Sequence, residues 1–580
     1  METTPAATPA PVAPAAATPR KQRDLLRFGL IILGLVVLNF VAQQFFFRLD
    51  LTQDQRYSMS PATKQLLETM PEPVTVTVYL AGDFPPAFRR LSQATRETLD
   101  EMQVHAGSKL RYVFVDPSAA TSEADRNKEY QRLIQKGLRP TNLGANEGGK
   151  RVEKIIFPWA TIAVGNKEEN VLLLRGNQAA PPDVRLNQSI EGLEYELAAA
   201  VRRLQPTKRQ LIGIVEGHGE PDNLHLADLI GTLQRDYNIY RIDLNKVKDQ
   251  DMKSLAAVIV AKPERAFTDP EKFKLDEFIT QGGRALFFVD AMRVNLDSAN
   301  RGGMLSFPLD LNLTDLLFTY GARLNGDLLL DVNSGLIPLV TGSTGDKPQV
   351  QPMPWPFYPL VNNFSPHPIT RNLDAVYLKF VGTIDTVKAA GIRKTPLMFT
   401  SRYTRVLPAP VPINLNDARL PPDPKLYKSG PKPVGYLLEG QFRSLFANRA
   451  KPGTTQFLPA QSPLAKPSKI LVVSDGDFVR NDVDPKTNRP LRLGFDRLAT
   501  TEFANRELVQ NAVDYLLDET GLIDVRSKQI TLRPLDKVKI NAEKRQWQLL
   551  NLGAPLALLA VFGLVRAWLR KRKYASFGVE

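Results

Sequence analysis

Three short segments carry side chains able to do chemistry. Glu216-Gly217-His218-Gly219-Glu220 sets a titratable imidazole between two glycines and two carboxylates. The glycines let backbone approach a ligand closely, and the N-terminus of a following helix could receive an anion. The same residues also suit a tight turn in which the glycines supply positive φ and the histidine packs or caps. Ser474-Asp475-Gly476-Asp477, with Asp482 beyond it, has the acidic spacing of an oxygen-ligand metal site, but no glutamate completes a calcium loop. An Asp-Gly turn whose aspartates bond their own backbone is the competing reading. Asp290 closes the run Leu286-Phe287-Phe288-Val289 and reads as a strand-end cap. The ligand-binding candidates are Gly217, His218, Gly219, Glu220, Asp290, Asp475 and Asp477, with no catalytic residue and no metal ligand assigned.

Several chemistries are excluded at once. Ser474, His218 and an aspartate are the residue types of a hydrolytic triad, but no Gly-x-Ser-x-Gly elbow surrounds Ser474. Neither a Walker loop nor a Rossmann Gly-x-Gly-x-x-Gly is present, so no nucleotide hydrolysis and no cofactor is expected. The 580 residues include no cysteine, which removes disulfides, thiolate metal sites, Fe–S clusters and a cysteine nucleophile. An envelope hydrolase or metal-dependent enzyme using His218, Asp475 and Asp477 stays open beside a non-enzymatic reading.

The elements that must hold these segments read as α/β. Ser60 before Pro61 caps a short helix, and Val74 to Leu80 alternates Val and Thr as a half-buried strand. Further strands and helices complete an extracytoplasmic α/β domain over residues 50–206. In the second domain, 207–525, strands at 210–215, 240–244, 256–261 and 285–290 alternate with helices, the pattern of a doubly wound parallel sheet. Thr268-Asp269-Pro270-Glu271 is a capping box, and Ile470 to Val473 returns to the same sheet. Ligands of such sheets bind beyond the carboxyl ends of the strands, where all three candidate segments lie. The stretch 325–467 carries many of the 45 prolines and reads as an irregular insertion with a few strands, and 526–546 as a basic, strand-like, membrane-proximal segment. Arg89-Arg90 and Arg202-Arg203 read as solvated helix faces.

The ends of the chain explain part of its net charge of +14. Residues 1–27 form a disordered Ala/Pro/Thr-rich tail ending in Arg20, Lys21, Arg23 and Arg27, followed by an apolar run at 28–47 long enough to cross about 30 Å of hydrocarbon. A second span is expected at 547–569, between Trp547 and Trp568, with the basic tail 570–580 beyond it. The two ends supply +6 of the charge, which is a topology signal and leaves little indication of nucleic-acid binding. The positive-inside rule puts both termini in the cytoplasm and residues from about 48 to 546 on the outer face of the inner membrane.

The order of these features resembles the gliding-motility-associated ABC transporter auxiliary family, the substrate-binding component called GldG. The matching segments are Leu51-Thr52 through Arg56-Tyr57-Ser58-Met59-Ser60-Pro61-Ala62-Thr63; Val78-Tyr79-Leu80 with Gly82-Asp83-Phe84-Pro85; Gly217-His218-Gly219-Glu220; Gly282-Gly283-Arg284 leading to Asp290; and Asp475-Gly476-Asp477 through Asn511-Ala512-Val513-Asp514-Tyr515-Leu516-Leu517. The resemblance implies an auxiliary subunit working beside an ABC permease and a cytoplasmic ATPase, with a polysaccharide or peptide of the envelope as ligand. It also implies that the doubly wound domain is similar to one in intraflagellar transport proteins and to glutamine-amidotransferase-like folds. The nucleophile of those amidotransferases is a cysteine, which this chain lacks.

Overall fold

The computed structural model of the chain describes residues 20–44, 58–147, 150–176, 181–206, 208–300, 302–344, 347–459, 464–527 and 537–574. It divides into two units, Met1–Ser58 and Met59–Glu580. The first unit contains one described helix, α1 (Arg20–Gln44), whose apolar part runs only from Leu25 to Asn39. That is short of the roughly 20 residues a span needs. The expected span at 28–47 is thus matched by a short apolar helix, and residues 45–47 lie outside the described residues.

The second unit opens with α2 (Pro61–Thr69), where the Ser60 hydroxyl accepts the Thr63 N–H at 3.2 Å as the N-cap. Then come β1 (Val74–Val78), α3 (Pro86–Ala106), β2 (Leu110–Phe114) and α4 (Glu123–Gln135). A hairpin of β3 (Thr141–Glu147) and β4 (Lys150–Ile156) leads to β5 (Trp159–Val164), β6 (Lys167–Leu172) and α5 (Pro182–Leu204). The strands make a four-stranded sheet in the order β2-β1-β5-β6, with β1 and β2 parallel. Val74, Val76 and Val78 point into one core with Leu91 and Leu99 of α3 and Leu193 and Leu197 of α5, which is the outcome the Val/Thr alternation requires.

Next follow β7 (Leu211–Glu216), α6 (Ala227–Leu233), β8 (Asn238–Asp243), α7 (Asp249–Ser254), β9 (Ala257–Ala261), α8 (Asp269–Thr280) and β10 (Arg284–Phe288). With the strand Ser468–Val473 they form the parallel part of an eight-stranded sheet, in the order β8-β7-β9-β10-(468–473). Numbered along the chain this is 2-1-3-4-5, one of the two common doubly wound orders. The near-continuous apolar strands divide by period two. Ala257, Ile259, Leu286, Phe288, Leu471 and Val473 face a core shared with α6 and the helix Asn505–Leu517. Val258, Val260, Ala285, Phe287, Ile470 and Val472 face α8.

The proline-rich stretch is more ordered than its composition suggests. Its strands Pro433–Gly440, Ile392–Phe399 and Asn363–Phe364 extend the same sheet in antiparallel fashion. The long strands Ser334–Thr344 and Lys347–Val361 pair into a hairpin. In Pro352-Met353-Pro354-Trp355-Pro356-Phe357 the prolines fall on one face, while Trp355 and Phe357 are buried on the other in a separate aromatic core with Tyr358 and Phe380. Proline every second residue is therefore compatible with a strand that presents its N–H-less side outward.

Two further expectations change. From Lys537 the membrane-proximal segment is a helix, continuous to Tyr574, and residues 528–536 lie outside the described residues. Arg203 is not solvated: its guanidinium bonds Glu169 and lies 3.8 Å from Asp236, with only 14% of the side chain exposed. Arg202 approaches Asp518 at 3.6 Å.

That cluster has a pH signature. Burial, followed by the field of Asp514 working against Arg203, raises the Asp236 carboxyl to about 6. A carboxyl with a raised folded pKa binds its proton more tightly when folded, so stability falls as pH rises from about 4 through about 6. Asp236→Asn should be more stable than the parent at pH 7 by about 1–2 kcal/mol and should flatten the stability profile between pH 4 and 6 in denaturation curves.

Candidate functional site

The carboxyl end of the parallel sheet brings together three loops that carry four charged residues. After β9 comes Lys262, with a left-handed φ of +50°. After β10 comes Asp290, and after the strand Ser468–Val473 come Asp475 and Asp477. One carboxylate oxygen from each of the three aspartates lies within 4.8 Å of the others, a grouping that fits a cation. The cation present is a lysine: Nζ of Lys262 is 2.7 Å from Asp290 Oδ2 and 2.7 Å from Asp477 Oδ2. Gly476 permits this, because a Cβ there would come within 2.6 Å of Lys262 Cγ and 2.9 Å of its Cα.

The remaining bonds close the cluster. Asp290 Oδ1 accepts the Gly476 N–H at 2.6 Å. Asp475 accepts the N–H of Lys379 at 2.7 Å and, within its own turn, that of Phe478 at 3.1 Å. Arg480 lies 3.5 Å from Asp477, whereas Asp482 turns away to Lys379 at 3.6 Å. Burial together with the negative charge of Asp477 and Asp290 holds the Asp475 carboxyl well above the usual range. Burial pushes Asp477 up as well, but Lys262, Lys379 and Arg480 outweigh it and keep Asp477 ionised below the ordinary range. Asp290 is raised by its burial. The two aspartates of one turn are thus pushed in opposite directions, Asp475 up by burial and like charge and Asp477 down by its three cations. The space beside it is small, a cavity of about 10 Å³ bordered by Asp477, Arg480, Asp482 and Tyr377, room for about one water. Ser474 is fully buried, and its hydroxyl donates to the Gly382 carbonyl at 2.6 Å.

The loop after β7 forms a second station at the switch point between β7 and β9. Gly217 and Gly219 have φ of +117° and +85°, conformations that favour glycine. The His218 ring is buried, stacked on Phe267 at 3.7 Å, with Nδ1 3.2 Å from Glu220 Oε1 and Nε2 3.1 Å from Glu271 Oε1. Glu271 caps α8 with Oε2 through Thr268, so the capping glutamate also holds the histidine. Burial disfavours a charged imidazole, but the bonds to Glu220 and Glu271 prevail, and His218 is held protonated above its ordinary range. The loop after β9 joins the two stations: the N–H groups of Glu264 and Arg265, two and three residues beyond Lys262, both donate to the His218 carbonyl at 2.8 Å.

The structure thus gathers Asp290, Asp475 and Asp477 into one cluster and holds Gly217, His218, Gly219 and Glu220 in another. None of them borders either of two larger cavities, of about 510 and 910 Å³. Sequence reasoning missed Lys262. Its only local signal was a cation at the end of a fully apolar strand, Ala257-Val258-Ile259-Val260-Ala261.

Lys262→Met should cost about 3–5 kcal/mol at pH 7, since it strands buried carboxylates. Those carboxylates would then take protons more readily folded than unfolded, so the deficit should shrink as pH falls towards 5 in denaturation curves. The His218 contribution runs with the opposite kind of group. A raised histidine stabilises fully below its unfolded pKa of about 6.5 and loses this as pH rises through the folded value, so His218→Gln should cost about 2 kcal/mol at pH 6 and less at pH 9.

Several known proteins are similar to parts or most of the chain. A protein of Borreliella burgdorferi (strain ATCC 35210 / DSM 4680 / CIP 102532 / B31) is 21% identical over 539 residues, covering 91% of this chain and 94% of that one. Septin-2B of Xenopus tropicalis is 24% identical over 170 residues, covering 27% of this chain and 47% of its own. Among solved structures, the mmIFT52 N-terminal domain is 14% identical with a TM-score of 0.30, over 53% of this chain and 97% of that one. Residues 53–163 match a domain of unknown function. Residues 209–512, more than half of the chain and nearly all of the doubly wound sheet, match the family described as an ABC-type uncharacterized transport system, and the chain belongs to that family.

Proposed function

We propose that the protein is a membrane-anchored auxiliary subunit of an ABC-type transport complex, which presents its α/β region to an envelope ligand and couples binding to a permease and an ATPase. The observation that carries the reading is the helix Lys537–Tyr574, of which Ile540–Arg572 is long and apolar enough to cross a membrane and has none of its apolar window buried. A core helix would be covered; here Leu549, Leu552, Leu558 and Leu564 are each at least 70% exposed. Trp547 and Trp568 bracket the apolar stretch, with Arg572 stacked over Trp568 at 4.8 Å. Membership of a transport family supports the association with transporter components, and the missing nucleotide loops fit a reading in which a partner hydrolyses ATP.

In this reading α1 and the following residues to 47 make a second span, both termini are cytoplasmic, and residues from about 48 to 546 are periplasmic. The envelope ligand, a polysaccharide or peptide, and the tie to gliding motility rest on the order of motifs alone. The experiments use the chain's lack of cysteine. In spheroplasts a membrane-impermeant maleimide should label Ser298→Cys, while Thr18→Cys and Ser576→Cys should react only after permeabilisation. Detergent extracts should yield the chain together with a permease and an ATPase; labelling of Thr18→Cys from outside, or a chain that always purifies alone, would overturn the assignment.

A further inference from the structure

A cavity of about 510 Å³ lies where α5 meets the helix Asn505–Leu517, away from the aspartates and from His218. Its volume is in the range that takes a small organic molecule. One wall is Arg175-Gly176, the segment leaving β6, pressed against the first turns of α5. Gly176 has a φ of +112°, and a Cβ there would lie 2.6 Å from Gln188 Oε1 and 3.2 Å from the Arg185 carbonyl. Glycine alone allows that approach, which places Arg175 and Arg185 in one lining.

The acids of the cavity already have partners. Glu169 is bonded by Arg203, Glu196 and Glu507 lie 3.2 and 3.6 Å from Arg175, and Asp514 accepts the Tyr237 hydroxyl at 2.8 Å. Donors are what remain. The Nε of Arg175 and the Nε of Arg185 are both buried without an acceptor among the described residues. A buried guanidinium N–H left unpaired costs free energy, and the planar fork of arginine matches the oxygens of carboxylates and phosphates.

We propose that this cavity is a binding site for a small-molecule oxyanion, whose carboxylate or phosphate oxygens are received by Arg175 and Arg185. It goes beyond the auxiliary-subunit reading and is measurable on the purified chain without a transporter. The test is calorimetric titration of the full chain in detergent with inorganic phosphate and with citrate, against chloride at matched ionic strength. Arg175 also bridges Glu196 and Glu507, so Arg185 is the position to vary. At least one of the two probes should bind more tightly than chloride and raise Tm, Arg185→Gln should weaken that binding about tenfold or more, and Arg185→Lys should weaken it less. Arg89→Gln, an exposed control on α3, should bind as the parent does. If the Gln variant melts more than a few degrees lower before any ligand is added, the Lys variant carries the comparison. Binding no tighter than chloride for both probes, or equal binding by the parent and the folded Arg185 variant, would overturn the proposal.

Discussion

The ammonium of Lys262, buried between Asp290 and Asp477, is the contact on which the arrangement of the central sheet turns. It joins the ends of three neighbouring parallel strands, and one of them, Ser468–Val473, returns only after about 180 residues of intervening chain. Closing so long a loop is entropically costly, though only logarithmically more so than closing a shorter one. The apolar pairing of Ile470–Val473 with Ala285–Phe288 repays that cost. Hydrophobic pairing does not discriminate well between registers, whereas a lysine that must meet two carboxylates does. The cluster has the residue types of a metal or acid–base site, yet its geometry is that of a closed electrostatic clasp, with its cation built in and space for about one water.

The same economy recurs at α5, the helix joining the two sheets. Its apolar face belongs to one continuous core with β1, β9, β10 and the helix Asn505–Leu517. Along that seam run polar ties: Ser60 N–H to Glu194 at 2.7 Å, Arg371 to Glu191 at 3.3 Å, and the hydroxyls of Tyr195 and Tyr237 to the two oxygens of Asp514. Burial leaves these groups paired with one another, while Arg175 Nε and Arg185 Nε, without an acceptor among the described residues, sit where the seam opens into a cavity. Packed interfaces of this kind shift between discrete arrangements more readily than they deform.

Much of this was legible in the chain itself. The period-two division of β1, the apolar strands β7 and β9, the Ser60 cap and the capping box of α8 are local patterns, set by side-chain direction and orphan backbone groups within a few residues. What was illegible depended on distance along the chain. Lys262 and Asp477 are 215 residues apart, and Arg203 reads as a surface residue until Glu169 and Asp236 are brought to it. The run at 352–357 reads as part of an irregular insertion for another reason: its composition is proline-rich, although the spacing of two places every ring on the same side of the strand.

By itself, then, the sequence determined the α/β class, the order of the parallel strands along the chain, the absence of thiol and nucleotide-loop chemistry, and an apolar C-terminal segment fit for a membrane, because each depends on composition or on contacts between near neighbours. Only the tertiary structure decided the spatial order 2-1-3-4-5, the pairing of the candidate aspartates with Lys262 and of His218 with the capping glutamate, and the meeting of Arg175 and Arg185 in the lining of one cavity. The reason is physical. Whether a charged side chain is solvated, clasped or left waiting for a ligand depends on which distant carboxylates share its low-dielectric surroundings, and no local pattern encodes that.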